Sequence, residues 1–275
     1  MSDEKQNLLW LLEGLPEFRK EAQEIAQESF KKEIESINQI AALLGSLAFF
    51  TMENKSKKNI LLSDTYPATD WQFHAHVTDL INTLLSIKEL CVDGFDTQAR
   101  ALVRVLDERI YQALILFSSA KDYQIWKNAE DTKQAYYDLF SKKKSKYKKL
   151  LHLDQKYLET TKSDELIALR AENDKYYSDT IHGANTSIYA GAVAYPFGDL
   201  NEGPFVSAIY GRASSCSYQT LHHSIGQMSY FVLMIGAILE DIHSLGNIEG
   251  ENLIYVFKSN RYSVIEKSMK LIMNS

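Results

Sequence analysis

Arg104 and Glu108 lie four residues apart, and His182 stands directly before Gly183. These are side chains that acid–base chemistry uses, because an imidazole can accept a proton and a guanidinium can stabilise a developing negative charge. Each also has a purely structural interpretation. An Arg and a Glu one helical turn apart form a weak surface ion pair, and a histidine before glycine is common at a helix C-terminus. The residue types alone leave both interpretations open.

Two acid–histidine pairs with i,i+3 spacing indicate a different chemistry, that of di-iron carboxylate bundles, which present metal ligands at this spacing from paired helices. The pairs are Asp179 with His182 and Glu240 with His243. Such a site also needs one carboxylate from each of two further helices, for which Glu89 and Glu108 are the candidates. The first pair begins with Asp, and Gly183 can end its helix at once. We therefore predict no metal and no cofactor, and keep a di-metal carboxylate enzyme as an alternative.

Arg109 differs from the other charged residues of its segment because apolar residues surround it on a helical projection. These neighbours are Leu102, Val105, Ala113 and Leu116. An unpaired buried charge costs several kcal/mol, so this arginine must extend to solvent or find a carboxylate. We predict that Arg109 is substantially buried and paired with a carboxylate from another helix.

The elements that position these residues are predicted to be helices, because only three glycines stand between Pro67 and Pro196 and a chain with few helix breakers is mostly helical. We expect Gly94 to end one helix and Asp96 or Thr97 to cap the next. The helices are expected over residues 17–44, about 71–93, about 97–120, 121–144, 145–161, 164–177, 206–245 and 250–273.

The helix that contains Arg104 has two faces at 100° per residue. Its apolar face consists of Ala99, Leu102, Val103, Leu106, Ile110, Ala113, Leu114 and Phe117. Its polar stripe consists of Asp96, Arg100, Arg104, Asp107, Glu108, Tyr111 and Gln112. Such a stripe is usual on a solvated face, where an i,i+4 ion pair contributes about 0.2–0.5 kcal/mol.

Two segments resemble the signature helices of uncharacterised bacterial helical-bundle proteins related to the HEPN superfamily. The segments are ARALVRVLDERIYQALILF, residues 99–117, and YYSDTIHG, residues 176–183. In those proteins an Arg with a Glu one turn later precedes, by several tens of residues, a Ser and then a His followed by Gly. The resemblance covers about residues 75–190 and implies an α-helical bundle, often dimeric. The residues that it brings to one polar pocket, as candidate catalytic residues, are Arg104, Glu108, Ser178 and His182.

The resemblance implies RNA as a partner or substrate, and a role in phage defence or as a toxin. Cleavage of RNA needs a group that takes the 2′-hydroxyl proton and a cation that stabilises the phosphorane, and His182 with Arg104 or Arg109 suits these roles. HEPN ribonucleases carry an Arg with a His about four to six residues later. The nearest pairs here are wider and are Arg170 with His182 and Arg212 with His222. A non-catalytic assembly or regulatory bundle is therefore the alternative.

The tract KKKSKYKK, residues 142–149, is the one compositionally biased segment. Its lysines can hold phosphates by counterion release. A charge run beside a helix junction is more often a solvated face, and Tyr147 alone is too little aromatic surface for a stacking platform.

Residues 181–239 contain only three charged side chains, at Asp199, Glu202 and Arg212. We predict that this charge-poor region forms the centre of the fold and contributes to a homodimer contact, which the resemblance also implies. Its apolar core, residues 230–239, has 10 residues, against the roughly 20 that a spanning helix needs. We expect a buried helix and no membrane span.

The composition bounds the class of protein. At 275 residues and 45% apolar composition, the chain can bury a large core as one domain. Its net charge of −6 attracts neither nucleic acid nor an anionic membrane as a whole, so such a partner needs a local patch. The two cysteines are 125 positions apart, and the N-terminus lacks a secretion signal, so we predict a cytoplasmic protein.

We predict an all-α, multi-helix bundle, HEPN-like, with an extended N-terminal helix and a single domain over residues 1–275. Its parts are an N-terminal helical extension over 1–66, a HEPN-like core over 67–194, a loop over 195–204 and C-terminal helices over 205–275 that complete the bundle.

Overall fold

A computed structural model describes residues 16–17, 19–53, 59–141, 143–160, 163–181, 214–249 and 253–274. These residues form an all-α bundle of ten helices without a strand, which confirms the predicted fold class. The helices are α1 (residues 19–29), α2 (Lys31–Glu53), α3 (Asp70–Val92), α4 (Asp96–Ser118), α5 (Ala120–Lys127), α6 (Thr132–Tyr136), α7 (Lys143–Leu158), α8 (Ser163–Ile181), α9 (Ser215–Asp241) and α10 (Leu253–Met273). A π-helical turn, Tyr137–Ser141, follows α6, and a 3₁₀ turn, Leu245–Asn247, follows α9.

The junction between α3 and α4 follows from one glycine, as predicted. Gly94 has φ 78°, a left-handed conformation in which a side chain is strained. The Phe95 amide donates to the Leu90 carbonyl at 2.7 Å, and the Gly94 amide donates to that of Cys91 at 3.2 Å. This is the paired hydrogen bonding of a Schellman motif, which satisfies carbonyls at the end of α3.

Two local predictions are wrong. The residue that caps α4 is Phe95, without a side-chain hydrogen bond, rather than Asp96 or Thr97. Asp96 instead accepts a hydrogen bond from the Thr220 hydroxyl at 2.9 Å. The single helix predicted over 121–144 is divided into α5, α6 and the π-helical turn. The division follows from Asp131, whose carboxylate accepts two backbone N–H bonds and begins α6 as its N-cap.

The centre of the bundle is built by α2, α3, α4, α9 and α10. Helix α4 contacts α3 on one side and α7, α8 and α9 on the other, while α2 packs against α3, α9 and α10. One hydrophobic cluster extends from Ala26 to Phe257. Helix α9 contributes Ile225, Met228, Phe231 and Ile235, all fully buried. The described part of the charge-poor region, residues 214–239, is therefore at the centre of the fold, as predicted, whereas residues 182–213 lie outside the described residues.

One described helix, Lys31–Met52, is long and apolar enough to cross a membrane, with a mean hydropathy of 1.3. Of its most apolar stretch of 18 residues, 44% is buried inside the protein. The helix packs against α3, α9 and α10, and the core helix of a bundle commonly has this composition. Helix α9, the region considered from the sequence, does not meet the same criterion.

Candidate functional site

The polar stripe of α4 faces the inside of the molecule rather than solvent. Arg100 and Asp107 are each 2% exposed, and Asp96 and Tyr111 are also buried, because α7, α8 and α9 lie against this side of α4. The solvated face expected from the sequence is therefore wrong for these four residues. Buried charges must be paired, since an uncompensated one costs several kcal/mol.

Arg104 and Glu108, at the less buried edge of this polar stripe, form the predicted ion pair. The Arg104 Nε and Nη2 atoms donate to Glu108 Oε1 at 3.1 and 2.7 Å. The Tyr136 hydroxyl donates to Glu108 Oε2 at 3.0 Å, and Arg104 Nη1 donates to the main-chain carbonyl of Asp174 at 2.7 Å. Burial alone lowers the pKa of Arg104, but the hydrogen bond and charge of Glu108 outweigh it, so the pKa is raised.

The helix that accepts this bond is α8, which carries the other predicted site residues. Ser178 follows Asp174 by one helical turn and is half-buried. Residue 182, the predicted histidine, lies outside the described residues, as do residues 183–213. The structure thus bonds Arg104 to the main chain of α8 and Glu108 to Arg104 and Tyr136, while the convergence of all four residues on one pocket stays a prediction.

Asp174 joins α8 to α7 through its side chain. Its Oδ2 atom accepts from Lys146 Nζ at 2.9 Å and from the Tyr147 hydroxyl. The buried Lys146 ammonium also lies 5.1 Å from the centroid of the Tyr111 ring, within the range of a cation–π contact. Asp174 therefore connects three helices, because its carbonyl holds Arg104 on α4 and its carboxylate holds α7.

A second cluster of buried polar side chains lies between α7, α8 and α9. Arg170 Nη1 donates to Asp154 Oδ2 at 2.7 Å, and Arg170 Nη2 donates to the Tyr230 hydroxyl at 3.0 Å. That hydroxyl donates to Asp154 Oδ1 at 2.8 Å, which closes a ring of three hydrogen bonds across α7, α8 and α9. Burial raises the pKa of Tyr230, so its hydroxyl stays protonated and can donate.

Two adjacent histidines of α9 find acids on other helices. His223 Nε2 lies 3.0 Å from Asp107 Oδ2 and its ring lies 4.7 Å from that of Tyr177. His222 Nε2 lies 3.0 Å from Glu33 Oε1 on α2. Burial raises the pKa of Asp107, and the hydrogen bond with His223 opposes this only in part.

Asp107, Asp154 and Lys146 were not predicted from the sequence to be buried partners, and neither were the adjacent His222 and His223. One signal was available. His222 and His223 lie on a helix without a neighbouring charge, so buried histidines there had to pair with acids from elsewhere in the chain.

Arg109 is not substantially buried, so that part of its prediction is wrong. Its side chain is 40% exposed. The predicted pairing with a carboxylate of another helix is confirmed, since Arg109 Nη1 donates to Asp79 Oδ1 at 2.7 Å and to the Thr83 hydroxyl at 2.8 Å on α3. The guanidinium extends past its apolar neighbours to the surface, away from the Arg104 pair.

The described residues offer no metal centre. No group of three His, Cys, Asp or Glu side chains among them has a geometry that could hold a metal ion. Glu240 pairs with Arg261 at 2.6 Å. His243 Nε2 donates to the Phe117 carbonyl at 2.9 Å, while its Nδ1 accepts from the Ser63 amide at 3.3 Å. Both ring nitrogens of His243 are thus engaged with the backbone, and of the other proposed pair the Asp179 side chain and His182 lie outside the described residues.

Two clefts open on the described surface. One, of about 620 Å³, lies between the start of α2 and the end of α10, and Glu33, the partner of His222, lines it. The other, of about 510 Å³, lies where the end of α4 and the start of α5 face α7. The second cleft contains lysines of the tract singled out from the sequence.

Comparisons with protein-family models, with curated proteins and with solved structures found no match.

Proposed function

We propose that this chain is a HEPN-like, RNA-directed protein of the cytoplasm, acting as a homodimer in phage defence or as a toxin. In this proposal it cleaves RNA at a pocket formed by Arg104, Glu108, Ser178 and His182. The observation that supports it is the set of bonds made by Arg104, which join Glu108 to the main chain of α8. Helix α8 carries Ser178 one turn further on and leads directly to His182.

The chemistry of the proposed pocket is a transesterification within RNA. His182 takes the proton of the 2′-hydroxyl, the 2′-oxygen forms a bond to phosphorus, and the bond to the 5′-oxygen breaks. The products are a 2′,3′-cyclic phosphate and a 5′-hydroxyl, whose proton comes from water. A guanidinium has five N–H donors, of which Arg104 uses three on Glu108 and Asp174. The other two can stabilise the phosphorane oxygens.

Glu108 and Tyr136 have a positioning role in this proposal. Glu108 holds two nitrogen atoms of the guanidinium, and Tyr136 holds the second oxygen of Glu108. This arrangement fixes the guanidinium before substrate binds, and preorganised charge is what lowers a barrier. Arg109, the other cation considered for the role, is paired with Asp79 on α3 instead.

A cleavage assay tests the proposal. Purified protein is incubated with 5′-labelled single-stranded RNA, and wild type is compared with His182→Ala, Arg104→Lys and the control Arg109→Ala. We expect wild type and the control to yield fragments ending in a cyclic phosphate. His182→Ala should abolish cleavage and Arg104→Lys should reduce it at least tenfold, since a point charge does not replace a planar fork.

Thermal unfolding of each variant separates chemistry from folding. His182→Ala is expected to melt close to wild type. No cleavage by wild type, or equal cleavage by all four proteins, would contradict the proposal and favour the non-catalytic bundle, in which the pair of Arg104 and Glu108 only joins helices.

A further inference from the structure

The cleft between α4, α5 and α7 has a wall of basic side chains on α7. The wall consists of Lys148, Lys149, His152 and Lys156, which fall within about 100° of the helix circumference because a residue turns about 100°. From first to last they span about 12 Å at 1.5 Å per residue. A row of this length can contact more than one phosphate of a strand, whereas a compact pocket holds only one.

The opposite wall supplies hydroxyl groups and carboxylates. Ser118 and Ser119 line it where α4 passes into α5. Lys149 Nζ lies 2.9 Å from Asp122 Oδ2 on α5, and Lys156 Nζ lies 2.5 Å from Asp241 Oδ2 at the end of α9. The Lys156–Asp241 pair is 45% and 46% exposed and contributes at most about 1 kcal/mol, so a phosphate can compete for that lysine. The Lys149 ammonium is in a less exposed pair, but it has three N–H donors and can bind a phosphate beside Asp122.

The wall carries more positive charge than these pairs neutralise. Lys148 is exposed, and no carboxylate among the described residues pairs with it. His152 is exposed beside it. The hydrogen bond with Asp241 raises the pKa of Lys156, which keeps that ammonium charged. On a chain with a net charge of −6, this is a local patch of the kind that polyanion binding requires.

Helix α7 contributes both to the cleft and to the surroundings of the proposed pocket. At the start of this helix Lys146 and Tyr147 bind the carboxylate of Asp174, whose carbonyl holds Arg104. The next residues of the same helix, Lys148 and Lys149, face the cleft. The two places therefore share α7, with Lys146 and Tyr147 buried on one side of this helix and the cleft residues on another.

We infer that this cleft binds the sugar–phosphate backbone of the single-stranded RNA that is cleaved at the pocket. The inference rests on the proposed function and specifies its substrate as a single strand that spans more than one nucleotide. The lysines bind phosphates, and the Ser119 hydroxyl, whose oxygen accepts from the Asp122 amide, can donate its hydrogen to a phosphate or ribose oxygen. The ring of Tyr157, which also lines the cleft, offers one face for a base or ribose.

Binding is tested on the full-length His182→Ala protein, which in the proposal does not cut its ligand. The probe is a 5′-fluorescent oligouridine, and its anisotropy is measured over a range of salt concentrations. Lys148→Gln and Lys149→Gln should each weaken binding severalfold and reduce the slope of log affinity against log salt by about 0.7 for each lost phosphate contact. Lys88→Gln on α3, which does not line the cleft, removes the same charge elsewhere and should leave the affinity close to that of the parent.

The acidic residues give a test of opposite sign. Asp122→Asn and Asp241→Asn release Lys149 and Lys156 from their partners, so both should tighten binding. Weaker binding would contradict the inference, provided that the melting temperature of the variant is unchanged. A fluorescent RNA duplex measured in parallel should bind less tightly than the single strand, and equal affinity would overturn the assignment to single strands.

The outcomes separate the two proposals. Equal RNA affinity of the cleft variants and the parent would overturn the assignment of RNA binding to the cleft. It would leave the proposed cleavage at the pocket standing. Loss of binding in the cleft variants, without cleavage by the wild type, would support the cleft and overturn the proposed reaction. No measurable binding of RNA by the parent protein would overturn both.

Discussion

Two arginines of this protein pair with aspartates at the same distance, 2.7 Å, in different surroundings. Arg109 and its partner Asp79 are 40% and 49% exposed, whereas Arg170 and Asp154 are 9% and 1% exposed. Solvent reaches the first pair and screens it, whereas burial largely excludes solvent from the second, so the consequence of losing one partner differs. Burial of the pair, rather than its length, sets its role.

We predict that Arg170→Ala destabilises the protein by about 3–5 kcal/mol, because it leaves the Asp154 carboxylate buried without its cation. Arg109→Ala is the matched control and should cost less than about 1 kcal/mol. Urea unfolding of both variants, followed by circular dichroism, measures the difference. Equal losses would show that the two pairs have the same energetic role, contrary to their burial.

His243 predicts a pH dependence of stability. It is buried between the Phe117 carbonyl and the Ser63 amide, and burial lowers its pKa from the ordinary value of 6.5. A proton on Nδ1 would face the Ser63 N–H group. Because the folded-state pKa lies below the unfolded value, the unfolded state binds more protons between the two values. This contribution is therefore present above about pH 6.5 and is lost as the pH falls below it.

Urea midpoints at pH 7.5 and 5.5 test this prediction. Wild type should lose stability at the lower pH, and His243→Gln, which does not titrate, should lose less. Some pH dependence of stability should persist in His243→Gln, because burial also lowers the pKa of His76. An unchanged difference between the two pH values in His243→Gln would contradict the assignment.

At the scale of elements, α9 approaches α10 closely through a glycine. A Cβ atom at Gly236 would lie 2.6 Å from Nη1 of the buried Arg261, whose Nη2 donates to Glu240 at 2.6 Å. At Gly226, on the same helix, a Cβ atom would lie 3.6 Å from Ile272 Cδ1, an ordinary contact. The same substitution should thus have opposite effects at these two positions.

We predict that Gly236→Ala destabilises the protein by about 1–3 kcal/mol, since the guanidinium must move from its partner. Gly226→Ala should instead be neutral or stabilise by up to about 1 kcal/mol, because alanine restricts the unfolded chain and favours helix. Thermal unfolding of both variants decides between these expectations. A stabilising Gly236→Ala would mean that Arg261 moves without cost.

At the scale of the whole molecule, the described part of the charge-poor region is enclosed by the chain itself. Helices α2, α4 and α10 cover α9, so its composition is explained without a partner subunit. The predicted homodimer therefore rests on the resemblance to HEPN-related bundles rather than on this helix. The buried ion pairs beside α9 take their charges mainly from α4, α7 and α8. Helix α9 therefore needs few charges of its own.

The sequence by itself determined the features that depend on local spacing and backbone conformation. The scarcity of glycine and proline predicted an all-α bundle, Gly94 predicted the end of α3, and the composition of residues 214–239 predicted a buried helix. The spacing of Arg104 and Glu108 predicted their pair. Each of these follows from interactions within a few residues of the chain.

Only the tertiary structure decided which polar residues are buried and with what they pair. A polar stripe on α4 has the same periodicity whether it faces water or another helix. The partners of Asp107 and Arg170 lie 116 and 16 positions away along the chain, on helices whose packing a local pattern does not encode. The packing of the helices also decides which arginine is buried. Arg109 is surrounded by apolar residues on a helical projection but extends to the surface, whereas Arg170 is buried with its aspartate.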